Sequence, residues 1–132
     1  MLVVYDIDTK DREAAAKLLC AQAELLAPTA ARDIKANKVP PLYKSGVKYH
    51  RQNPRACAFR LPSDVRSRKH GDCKQLVLWR LGELLNAGEK ATARVLWINN
   101  KTGLQAHILI RRADGNLEDP SVALGMKGVN NG

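Results

Sequence analysis

GDCKQLVLWRLGELLNAG, residues 71–88, is the stretch that decides how the chain folds. Asp72 is a candidate N-cap with Gln75 three residues on, an arrangement in which each side chain satisfies a backbone amide that a helix start leaves without a partner. Gly88 supplies a stop, since glycine adopts the left-handed backbone that ends many helices without a steric cost. The pattern predicts a helix over residues 73 to about 87. Cys73, Val77, Leu81 and Leu84 follow one another at intervals of four, four and three, so the cysteine begins the stripe that faces inward. Leu76, Leu78, Trp79 and Leu85 widen that stripe. A helix apolar around so much of its circumference belongs at the centre of the molecule.

Downstream, residues 91–98 read as a strand, 99–103 as a turn and 104–110 as a second strand. Asp114-Gly115 marks another reversal. Residues 117–119 return as a third strand, with Asp119 held extended because the following Pro120 disfavours the helical conformation in its neighbour. Upstream, residues 1–7 hold a short β-prone run, and 11–27 are rich in alanine and leucine at helical spacing. Pro28 interrupts that pattern, and 29–37 are either a second helix or a kinked continuation of the first, ended by Pro40-Pro41. Residues 42–52 read as an extended approach, followed by a proline-punctuated stretch over 53–62, and the last residues, 125–132, as a loose end.

A chain of 132 residues with 45% apolar and 27% charged residues fits one domain with ordinary globular usage. We expect a single domain over 1–132, with a helical N-terminal part at about 8–38 and a core at about 42–124. There is no run of about 18 apolar residues for a membrane span, and no basic-then-apolar export signal at the N-terminus. The cysteines, Cys20, Cys57 and Cys73, are odd in number and lie 37 and 16 residues apart, which argues against both a disulfide framework and a zinc site. The net charge of +9 favours contact with polyanions, non-specific nucleic acid among them. Without regular aromatic interleaving it reads first as a solvated basic face.

Three residues carry chemistry in this layout. A thiol becomes a strong nucleophile as its thiolate, and the first turn of a helix favours that anion through free amides and the macrodipole; Cys73 has that address. An imidazole beside it can take the proton and return it to a leaving amine, and a carboxylate can hold the ring's tautomer. His107 and Asp119, on neighbouring predicted strands, supply those two groups. The backbone amide of Cys73 is the natural first donor to an oxyanion; Tyr49 and Gln52 are upstream side chains able to donate a second hydrogen bond.

Gly71-Asp72-Cys73-Lys74, the leucine-rich helix after it, His107 on a strand and Asp119-Pro120-Ser121 together resemble the core of the transglutaminase-like superfamily, in the order Cys, His, Asp. The resemblance covers residues 65–121, and the segment 41–52 is similar to that of small stand-alone members from bacteriophages. It implies a papain-like α+β fold, the cysteine helix packed on an antiparallel sheet that carries His107 and Asp119. It implies also a cysteine peptidase, amidase or acyltransferase that acts on a protein or peptide carboxamide through a thioester and needs no cofactor. Such a protein would be phage-encoded and reside in the host cytoplasm or the virion. The rival reading is a virion or assembly protein that keeps the fold as a non-catalytic binding module, its basic surface contacting other phage structural proteins or DNA. A basic nucleic-acid-binding domain has only the charge in its favour.

Strand parity makes the triad testable. A two-residue Asp114-Gly115 turn would put Asp119 opposite Ile110 and on the face away from His107. A three-residue loop of Ala113-Asp114-Gly115, with Gly115 left-handed, puts Asp119 opposite Leu109 and on the same face as His107. The odd-length loop is the expectation.

Overall fold

The computed structural model describes residues 3–4, 11–51, 58–100 and 103–127 and shows an α+β chain. In chain order the elements are β1 (Val3–Val4), α1 (Arg12–Ala36), a 3-10 turn (Leu42–Lys44), β2 (Lys48–Tyr49), β3 (Ala58–Phe59), α2 (Pro62–Arg68), β4 (His70–Gly71), α3 (Cys73–Asn86), β5 (Thr92–Asn100), β6 (Gly103–Arg111), β7 (Leu117–Glu118) and α4 (Pro120–Ala123). β5, β6 and β7 form an antiparallel sheet, β1 pairs antiparallel with β3, and β2 pairs parallel with β4. Gln52, Cys57 and the loose end beyond residue 127 lie outside the described residues.

α3 has the expected start and stop. Asp72 accepts from the Gln75 amide at 3.1 Å, the Gln75 side chain accepts from the Asp72 amide at 3.3 Å, and Gly88 takes φ +85° beyond the last turn. The helix divides two apolar clusters. Cys73, Val77, Leu78, Leu81 and Leu84 pack with Leu19, Ala23 and Ala30 of α1 and with Ile108 and Ile110 of β6. Leu76 and Trp79 pack on the other side with Leu42, Val47, Val65 and Leu124. Leu85, expected to widen the buried surface, is 37% exposed, whereas Leu84 beside it is buried.

α1 runs unbroken through Pro28, so the continuation is the arrangement found. The ring costs the helix a bond to the Glu24 carbonyl, but both residues are exposed there and water can replace the missing donor. α1 crosses α3 at close range. A Cβ added at Gly82 would lie 3.0 Å from the Ala30 Cβ and 3.0 Å from the Ala31 backbone nitrogen. Alanine normally gains about 1 kcal/mol over glycine inside a helix. Here the overlap with a neighbouring backbone outweighs that gain, so Gly82→Ala is expected to destabilise by about 1 to 2 kcal/mol, read as a lower urea midpoint at unchanged m. A rise in the midpoint would show that the two helices can separate without cost.

Two short helices were not anticipated. α2 begins with Pro62 at its first turn, Asp64 in that turn and Arg66 and Arg68 in the last, all favourable for a helix start and end. Its seven residues are too short for periodicity to reveal, and it begins at Pro62, where the expected proline-punctuated stretch ends. α4 follows directly on the third strand, which stops at Glu118, and the extended Asp119 is its N-cap.

Candidate functional site

Cys73 is the first residue of α3 and is 9% exposed. Its amide, one of those a helix start leaves without an intrahelical acceptor, points out of the first turn together with the positive end of the helix dipole. The cap beneath it is itself charge-balanced, since Lys74 Nζ sits 2.8 Å from Asp72 Oδ2.

The loop between β6 and β7 is Ala113-Asp114-Gly115. Ile110 pairs with Glu118 and Arg111 with Leu117, the Arg112 amide donates to the Asn116 carbonyl at 2.7 Å, and Gly115 has φ +92°. This is the odd-length loop, and one further step along the register sets Asp119 opposite Leu109, on the face of His107. His107 Nε2 and Asp119 Oδ2 are 2.7 Å apart. Asp119 is also the N-cap of α4: its Oδ1 accepts from the Ser121 amide at 3.1 Å and the Val122 amide at 3.3 Å. One oxygen thus anchors the carboxylate and the other holds the ring. The sequence Asp-Pro-Ser carried this signal, a capping residue followed by proline at the first helical position.

With Nε2 engaged by Asp119, Nδ1 is the ring nitrogen left free, and Cys73 lies close enough to the ring to influence its titration. The imidazole is 2% exposed, and burial alone would lower its pKa. The Asp119 hydrogen bond and the closeness of Cys73 and Asp119 win instead, and lift it from 6.5 to about 9. The structure therefore brings Cys73, His107 and Asp119 together.

Behind Asp119 stands a network that sequence reasoning missed. Glu118, on the opposite face of β7, accepts from Arg80 Nε of α3 at 2.7 Å, from Arg112 Nη1 at 2.8 Å and from the Tyr43 hydroxyl. Arg112 also grips Glu89 in a fork, at 2.6 and 2.7 Å. Glu118 is thereby pinned to the cysteine helix one residue before Asp119. No local pattern announces contacts between residues 38 and 75 positions apart. Glu118→Ala is expected to cost about 2 kcal/mol in denaturant unfolding, because Arg80 and the Tyr43 hydroxyl lose a half-buried acceptor while Arg112 keeps Glu89. A loss under about 0.5 kcal/mol would mean that solvent replaces the carboxylate freely.

Tyr49 is half-buried and packs against the cluster that contains Cys73, its amide donating to the Leu124 carbonyl at 3.0 Å. Burial first, then the negative charges of Cys73 and Asp72, raise its phenol pKa. Cys20 is a free thiol pushed up to about 11 by burial and by Glu24. Among the described residues no group of three or more His, Cys, Asp and Glu side chains is placed to hold a metal ion, and no helix is long and apolar enough to cross a membrane. In comparisons with known proteins, no family model, no curated protein and no solved structure matches the chain.

Proposed function

We propose that the chain is a cysteine-dependent amide hydrolase or acyltransferase of the transglutaminase-like kind, with Cys73 as nucleophile, His107 as proton carrier and Asp119 as the residue that orients it. The observation that carries this reading is the 2.7 Å Asp119–His107 contact beside Cys73 at a capped helix start. In this reading residues 42–124 are the transglutaminase-like core and α1 is its helical N-terminal part. The same resemblance points to a phage-encoded protein of the host cytoplasm or virion.

In this reading the thiol gives its proton to His107, and the sulfur attacks the carboxamide carbon as thiolate. The carbonyl π electrons move to oxygen, with the Cys73 amide as one donor to the resulting oxyanion. Collapse of that adduct expels the amine, which takes the proton from His107, and leaves a thioester on Cys73. Water or a second amine then attacks the thioester, giving its proton to His107, and the departing sulfur restores the starting pair.

The direct test is to trap the acyl group. A small peptide amide or activated ester is expected to leave a hydroxylamine-sensitive adduct on Cys73, located by mass spectrometry of the digested protein. An adduct confined to other residues, or none at all, contradicts the proposal and favours a binding module.

A further inference from the structure

Residues 44–51 and 58–70 hold seven Lys and Arg against a single acidic residue, Asp64. Asp64 is taken by Arg60 and Arg68, each at 3.1 Å. Lys44, Lys48, Arg51, Arg66 and Lys69 are exposed and form no ion pair among the described residues. The parallel β2–β4 pair joins the two segments into one surface: the Lys48 amide donates to the Lys69 carbonyl at 3.2 Å, and the His50 amide to the Gly71 carbonyl at 2.8 Å. His50 and His70 meet edge to face on it, ring centroids 5.2 Å apart. Tyr49, between Lys48 and His50, turns the other way and packs against the cluster that contains Cys73. The basic surface is therefore the outer side of a strand pair whose inner side packs on the cluster that contains the candidate nucleophile, and β4 ends two residues before Cys73.

We infer that this surface, formed around Lys48, Arg51, Arg66 and Lys69, binds an acidic segment of a polypeptide substrate beside the reacting carboxamide. Uncompensated cations at the mouth of a site attract and align anionic chains, and rejection of neutral chains follows from the same charges. A polypeptide suits the surface better than a nucleic acid for two reasons. The neighbouring tyrosines give little platform for bases, since Tyr49 faces inward and the Arg80 guanidinium lies over the Tyr43 ring, 5.2 Å from its centroid. A polypeptide also supplies the carboxamide that the proposed cysteine chemistry, on which this inference rests, consumes.

The test measures binding on the full chain carrying Cys73→Ala, so that it does not depend on turnover. Three fluorescent probes are compared by anisotropy: a ten-residue peptide with glutamate at every second position and one glutamine, the same peptide with serine for glutamate, and a single-stranded DNA of equal charge. The acidic peptide is expected to bind at least about tenfold more tightly than the serine peptide, and to weaken as salt is added. Lys48→Glu with Lys69→Glu should weaken it about tenfold, and the milder Lys48→Gln with Lys69→Gln about threefold, at unchanged melting temperature. Equal affinity for the acidic and serine peptides, insensitivity to both lysine pairs, or tighter lysine-dependent binding of the DNA would overturn the inference. Lysine-dependent peptide binding in a protein whose Cys73 proves unreactive would uphold the surface and remove only the cysteine chemistry.

Discussion

Cys73→Ala should abolish acyl transfer, lowering turnover by about 10⁴-fold or more, and leave the chain folded. The rate falls this far because, among the described residues, the other thiol, Cys20, is not paired with His107. Cys20 is too high in pKa to substitute, and an alanine cannot form the thioester at all. The fold survives because one sulfur at the edge of the cluster is a small volume, worth about 1 kcal/mol on removal, while the capping box of Asp72 and Gln75 is untouched. Steady-state turnover of a peptide amide together with a thermal melt reads both quantities. Full turnover in the variant would assign the nucleophile elsewhere, and collapse of the melt would make Cys73 a packing residue.

The second large effect is expected from Asp119→Asn. Asparagine keeps an oxygen for the Ser121 and Val122 amides, so α4 retains its cap and stability should change by under about 1 kcal/mol. The other end of the side chain then offers an N–H to His107 Nε2 in place of a carboxylate oxygen. The ring responds by carrying its proton on Nδ1, the nitrogen that must exchange a proton with the thiol. A fall in turnover of about 10³- to 10⁴-fold follows, the size such a tautomer error produces in catalytic triads. The imidazole pKa should drop with it, since the Asp119 hydrogen bond and charge both hold it up. Histidine titration by NMR beside turnover tests the link, and an unchanged pKa with unchanged turnover would reduce Asp119 to a helix cap.

How much of this was legible beforehand depends on how local each signal is. The helix from Cys73 announced itself through a capping residue, its partner three positions on and a terminal glycine, all within one short segment. The odd-length loop was legible because strand alternation allows only two answers and Gly115 supplies the backbone that one of them needs. What escaped was either too short or too distant. α2 and α4 span two turns or fewer, below the length at which apolar spacing speaks, although proline at the first helical position marked both. The β2–β4 pairing and the Glu118 network join segments that share no pattern, and tertiary packing alone selects them. The continuity of α1 through Pro28 likewise depended on burial, since a proline on the solvent side costs far less than one against the core.

The central claim is that Cys73 is an activated thiol, and limited alkylation reads it most directly. The intact protein is treated at neutral pH with a sub-stoichiometric amount of iodoacetamide, digested, and the label at Cys73, Cys20 and Cys57 is quantified. Labelling concentrated on Cys73, and lost there in His107→Ala, is the result expected of a thiolate paired with an imidazolium. Labelling spread evenly over the three cysteines, or absent from Cys73 while the others react, would contradict it.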